Sequence, residues 1–143
     1  MRLSLYLDAS VLLPTLVPEP GSAAVDLFFS TATEPLVVSE FAAAEVSSAI
    51  SRLVRMRLIR PDQATGRLAA FDGWRATEAE MLDVESADMR LAGVIVRRFD
   101  LMLRAPDALH LAICQRLGAQ LITLDARLAT AAGELGIEVS RLG

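Results

Sequence analysis

The sequence predicts an α/β domain built on a mostly parallel sheet, and three observations lead there. Short β-rich runs alternate along the chain with segments of helical apolar period. Two of those runs end on the same tripeptide, Leu7-Asp8-Ala9 and Leu124-Asp125-Ala126, each feeding directly into a helix. The chain also has 143 residues, 53% of them apolar, which is enough for one core that folds alone. Residues 1–143 therefore read as a single domain, with no repeat, linker or low-complexity tract.

The first strand is Leu3 to Leu7, alternating until Asp8 ends it. Ala9 to Leu16 is a short helix stopped by Pro18-Glu19-Pro20-Gly21. Ser22 is placed to cap a helix to about Ser30. Pro35 to Val38 is a brief β-branched strand. Ser39 then caps a long helix, Glu40 to about Ile59, whose apolar stripe draws on Val46, Ile50, Leu53 and Leu58. Pro61 opens another helix to about Trp74, so the two form a helical hairpin. A short strand is expected around Met81 to Val84 and a helix from Ser86 to Arg98. Pro106 sits in the first turn of a helix that Gly118 ends after Leu117. Gln120 to Leu124 is a buried-type strand. Ala126 to Leu135 is helical, Gly136 breaks it, and Ile137 to Val139 gives the last strand.

Composition excludes much chemistry. The longest uncharged stretch, Ala9 to Pro18, holds two prolines and falls well short of the ~20 apolar residues of a spanning helix, so no membrane span is expected. Asp8 would interrupt the apolar core of any secretory signal after Arg2. The single cysteine, Cys114, forbids an internal disulfide and points to a reducing, cytoplasmic setting. All fourteen basic residues are arginine. Without lysine there is neither a Walker A phosphate loop nor Schiff-base chemistry. One histidine, His110, cannot build a multi-histidine metal site. Carboxylates remain, eighteen of them, for a net charge of −4, which argues against nonspecific nucleic-acid binding by the whole surface. Charge is nonetheless unevenly spread: Ser47 to Arg75 carries six arginines against two aspartates.

Four carboxylates draw attention. Asp8 and Asp125 stand at the carboxyl ends of strands, where open parallel sheets bind ligands. Asp107 lies in the first turn of its helix, one turn before His110. Glu45 interrupts Phe41 to Ile50, a segment with no other charge and no arginine at helical contact spacing. Each also has a plain structural role open to it: helix caps for Asp8 and Asp125, dipole compensation or pairing with His110 for Asp107, a solvated face for Glu45. Gathered in one cleft, such groups would repel one another unless cations were bound. An oxygen-only set selects Mg²⁺ or Mn²⁺ over zinc.

Taken in order, Leu7-Asp8-Ala9-Ser10, Ser39-Glu40-Phe41 followed by Glu45, Ala105-Pro106-Asp107-Ala108-Leu109-His110-Leu111-Ala112, and Leu121-Ile122-Thr123-Leu124-Asp125 resemble the PIN-domain ribonucleases of the VapC toxin type over essentially the whole chain. That resemblance implies a three-layer α/β/α sandwich with a protruding helical hairpin. It implies Asp8, Glu45, Asp107 and Asp125 as catalytic metal ligands for Mg²⁺ or Mn²⁺, with supporting hydroxyls from Ser10 and Thr123. The implied reaction is endonucleolytic hydrolysis of RNA by metal-activated water, leaving a 5′-phosphate and a 3′-hydroxyl. The implied partners are RNA, a VapB-type antitoxin and a second copy of the chain. The RNA contacts must come from arginine: Arg52, Arg55, Arg57 and Arg60 near the hairpin, with Arg97, Arg98 and Arg104 as further candidates. Ion-paired or solvated roles stay open for each. A receiver or haloacid-dehalogenase domain is set aside for want of lysine and, in the latter, because Ser10 stands where a second aspartate belongs. A silent PIN-like interaction module and a PIN nuclease of RNA maturation or decay remain as alternatives.

Overall fold

In a computed structural model that describes residues 3–143, the chain runs β1 (Leu5–Leu7), α1 (Ala9–Leu12), a 3₁₀ turn (Leu13–Thr15), α2 (Ser22–Thr31), β2 (Leu36–Ser39), α3 (Glu40–Arg55), α4 (Pro61–Glu78), β3 (Glu80–Leu82), α5 (Ser86–Val96), a 3₁₀ turn (Phe99–Leu101), α6 (Ala105–Leu117), β4 (Gln120–Thr123), α7 (Ala126–Glu134) and β5 (Val139–Arg141). The strands order β3-β2-β1-β4-β5 and all pair in parallel. Leu5 and Tyr6 sit opposite Leu36 and Val37 on one side, and Leu5 to Leu7 sit opposite Gln120 to Ile122 on the other.

Period-2 alternation sorts the core into two layers. Tyr6, Val37 and Leu121 pack with α5, α6 and α7. Leu5, Leu7, Val38 and Ile122 face the opposite way, onto α1, α2, α3 and Phe71 of α4. Strand β1 is buried throughout, as a central parallel strand covered by helices on both faces must be. A smaller cluster of Val17, Ile50 and Ala64 fastens the α3–α4 hairpin. The expected α/β/α sandwich is therefore the fold. No described helix is long and apolar enough to cross a membrane.

Several element boundaries differ from expectation, each for a local reason. Helix α3 stops at Arg55, not Ile59. Arg57 adopts φ +59°, and the N–H groups of Arg57 and Leu58 return to the carbonyls of Val54 and Leu53. This is a Schellman closure without glycine. Arg60, ahead of Pro61, is extended. Leu58 consequently leaves the apolar stripe and is 64% exposed. Helix α4 runs on to Glu78 instead of ending near Trp74, and α5 closes at Val96, not Arg98. Gly21, not Ser22, occupies the cap position of α2. Ser22 Oγ instead accepts the Glu19 N–H, and a side chain at Gly21 would meet Leu124. The last strand begins at Val139, where Ile137 was expected to start it. As expected, Gly118 ends α6 in the left-handed conformation, at φ +64°.

Candidate active site

Strand order places a topological switch at β1, since the chain moves outward to β2 and β3 on one side and to β4 and β5 on the other. Side chains at the carboxyl ends of β1 and β4 therefore flank a crevice that the crossover helices cannot fill. Helix α6 leads into β4, so its first turn, with Asp107, lies at this same edge. Helices α3 and α7 begin there as well.

Asp8 ends β1 and is 4% exposed. Although Asp8 precedes α1, its side chain does not cap that helix. Its two oxygens instead accept hydrogen bonds from Ser10 Oγ and Thr123 Oγ1, both at 2.6 Å. Those hydroxyls are fixed in turn: Ser10 Oγ accepts the Leu124 N–H (2.9 Å) and Thr123 Oγ1 accepts the Asp125 N–H (3.0 Å). Burial raises the Asp8 carboxyl above its ordinary value, opposed by the hydrogen bonds from the two hydroxyls. Among the described residues Asp8 makes no ion pair. The cap alternative thus fails for Asp8, whose oxygens are bonded to the hydroxyls of Ser10 and Thr123 instead.

Glu45 is not the unpartnered carboxylate its helical neighbours suggested. His110 Nε2 lies 2.5 Å from Glu45 Oε1, and its Nδ1 lies 2.6 Å from the Tyr6 hydroxyl. The Tyr6 hydroxyl also meets Ser39 Oγ at 2.8 Å, and that oxygen accepts the Ala42 N–H as the cap of α3. Burial above all pushes the Tyr6 phenol far up, so it stays protonated. His110 is accordingly bonded to Glu45 and Tyr6, not to Asp107. The signal that could have found Tyr6 was present: it carries the only polar tip within β1.

Asp107 lies half-buried in the first turn of α6, where one oxygen accepts the Arg104 N–H (3.2 Å). Asp125 is exposed. Its Oδ1 accepts the N–H groups of Arg127 and Leu128, so here the cap role is realised. His110 thus joins Glu45 of α3 to α6, one turn after Asp107 on that helix. No three acidic, histidine or cysteine side chains among the described residues are drawn tightly enough to cage a metal ion.

The arginines divide. A groove of about 630 Å³ runs along α3 from Glu45 past Ser48 and Arg52 to Arg55, with Arg104 and Glu19 also on its walls. Arg57 and Arg60 line a separate hollow around the hairpin turn, where Arg60 pairs with Asp62 at 3.1 Å. Arg98 is engaged by Asp100 at 2.8 Å. Of the expected RNA-facing set near the hairpin, only Arg52 and Arg55 share the groove with Glu45.

Comparison with known proteins agrees with this architecture. The PIN domain family profile matches residues 5–134. The chain is 35% identical over 140 residues to Ribonuclease VapC46 of Mycobacterium tuberculosis, covering 95% of each. The fold superposes on M. tuberculosis VapC20, a sarcin–ricin loop cleaving toxin, with a TM-score of 0.72 at 15% identity, covering 89% of this chain and 94% of that one. It also superposes on a chain of a toxin–antitoxin complex from Klebsiella pneumoniae, with a TM-score of 0.60 at 15% identity over 85% and 86% of the two chains.

Proposed function

This chain belongs to the PIN-domain family, and on that premise we propose that it is a divalent-metal-dependent endoribonuclease, the toxin of a toxin–antitoxin pair. One observation carries the metal requirement. Among the described residues the Asp8 carboxylate is buried at the switch point, bonded to the hydroxyls of Ser10 and Thr123 and paired with no guanidinium. A buried charge left in that state is costly, and a bound cation removes the cost. The donor chemistry fits Mg²⁺ or Mn²⁺, hard ions that prefer oxygen. Mg²⁺ commonly takes one or two carboxylates and keeps several waters, so an open arrangement without a three-carboxylate cage suits it.

Asp8, Glu45 and Asp107 would hold the ion, with Asp125 adding the oxygen its cap bonds leave unused. Once bound, the ion supplies Lewis-acid stabilisation of charge on the phosphate. The chain's own part is orientation. Ser10 and Thr123 fix both oxygens of Asp8, and His110 fixes one oxygen of Glu45. Arg52, Arg55 and Arg104 offer guanidinium groups to successive RNA phosphates along the groove. Arg57 and Arg60 would touch RNA only beyond it.

A VapB-type antitoxin would occupy the same groove, where a basic side chain could stand in for the metal beside Glu45. Homodimerisation would bury apolar side chains left exposed at the hairpin, Met56 and Leu58, whereas Phe71 of α4 is already inside the core. A cytoplasmic location accords with the single buried thiol of Cys114.

The test is cleavage of RNA by purified protein with Mg²⁺, Mn²⁺ or chelator, alongside Glu45→Gln and Asp107→Asn. Cleavage is expected only with metal and in neither variant. Activity that survives thorough chelation, or that is highest with Zn²⁺, refutes the reading.

A further inference from the structure

A chain of hydrogen bonds runs from Tyr6 through His110 to Glu45. It spans three elements, β1, α6 and α3, and ends on a carboxylate at the crevice. We propose that Tyr6 and His110 are positioning residues that lock Glu45 in the orientation required for a divalent cation, an inference that rests on the metal-site reading above.

The argument is one of proton bookkeeping. Ser39 Oγ already accepts the Ala42 N–H (3.0 Å), so its own hydrogen is free for the Tyr6 oxygen 2.8 Å away. Tyr6 then donates to His110 Nδ1 (2.6 Å). The histidine hydrogen must lie on Nε2, from which it is donated to Glu45 Oε1 (2.5 Å). Reversing the direction leaves the buried Ser39 hydroxyl without an acceptor. It also leaves Nε2 of a neutral imidazole facing a carboxylate with no hydrogen between them. Only one assignment satisfies every group, and buried polar groups are satisfied.

Two consequences follow. A single hydrogen bond orients Glu45 without engaging both of its oxygens, so the carboxylate remains available to a cation. The donor takes Oε1 alone and leaves Oε2 for the ligand. A glutamate near the middle of a helix is otherwise among the more mobile side chains, and this bond removes that freedom before metal arrives. Partners one bond behind a metal ligand act in this way in other sites, typically at 10–100-fold in affinity.

The test combines Mn²⁺ titration, followed by the paramagnetic resonance of free ion, with ¹⁵N NMR of the imidazole in metal-free protein. Wild type should show the Nε2–H tautomer. His110→Leu should weaken Mn²⁺ binding roughly 10–100-fold, while His110→Gln, whose amide can reach Glu45 from the same place, should stay within about threefold of wild type. Tyr6→Phe removes a single oxygen; it should mix the tautomers and weaken binding severalfold while the protein stays folded by circular dichroism. An Nδ1–H tautomer in wild type overturns the proposal, as does unchanged Mn²⁺ affinity in folded His110→Leu. Wild-type protein that takes up no Mn²⁺ overturns the metal-site reading and this proposal together, whereas uptake that the variants leave unaltered overturns this proposal alone.

Discussion

Replacing Asp8 by asparagine separates a metal ligand from a structural aspartate without any knowledge of the substrate. In metal-free protein the ionised carboxylate is buried, and desolvation outweighs the Ser10 and Thr123 hydrogen bonds, which is why its carboxyl is raised above the usual 3.8. Asparagine keeps the shape, and the network can re-form by rotating two hydroxyls. Thr123 donates to the amide oxygen while still accepting from Asp125 N–H. Ser10 accepts from the amide nitrogen and turns its own hydrogen to Thr123 Oγ1, already 3.3 Å away. Two charge-assisted bonds become neutral ones, each weaker by ~1 kcal/mol, against removal of a desolvation penalty of several kcal/mol. Asp8→Asn should therefore melt at or above the wild-type temperature at pH 7 in chelator. Mn²⁺ at a hundredfold excess over its dissociation constant should stabilise the wild type by ~2.7 kcal/mol, about 10 °C for a chain of this size, and the variant far less. The pH dependence carries the same sign. A carboxyl raised in the folded state penalises folding above its folded pKa, and the penalty fades as pH falls through that value towards 3.8. Metal-free wild type should thus gain stability on mild acidification, and Asp8→Asn should lose that gain. Thermal melts by circular dichroism measure all three effects. A variant that melts clearly lower in chelator, with both proteins shifting equally in Mn²⁺, would refute the reasoning.

Other perturbations test the scaffold and the groove. Asp88 is buried and paired in two places with Arg116 (2.7 and 2.9 Å), and that pairing holds its carboxyl below the ordinary value. Asp88→Asn should cost ~2 kcal/mol at pH 7 by urea unfolding. The wild-type contribution should persist above 3.8 and vanish as pH falls through the folded pKa, so a cost unchanged well below it would contradict the assignment. Arg57 closes α3 at φ +59°, where glycine bears no steric cost; Arg57→Gly should raise stability by ~0.5–1 kcal/mol, and destabilisation would mean that its side chain matters more than its backbone. Removing Arg52 and Arg55 together should flatten the dependence of RNA binding on log salt by about 1.4, two phosphates at ~0.7 each on a single strand, whereas removing Arg57 and Arg60 should change it less.

Sequence alone was enough for whatever depends on residues within a turn of one another. Alternating runs gave the strands, Ser39 and Pro61 the starts of α3 and α4, and Gly118 the end of α6, because capping and backbone preferences act over about four residues. The ordered carboxylates and hydroxyls were equally legible, since all but Glu45 stand at a strand end or in a first helical turn, and Glu45 is the lone charge in its stretch of helix. What local patterning could not settle is how the two Leu-Asp-Ala signals differ. Asp125 caps its helix and stays exposed, while Asp8 caps nothing and is buried. The difference arises because β1 is central and parallel pairing with β4 brings Thr123 against Asp8 from 115 residues away. Glu45 and His110 are 65 residues apart, and His110 and Tyr6 are 104 apart. Such partners are set by sheet order, register and the face each helix turns to the sheet, none of which is encoded within a single turn of chain. Tertiary structure alone decided which carboxylate is buried, which is a cap and which is held by a histidine, because hydrogen bonds and desolvation depend on neighbours in space.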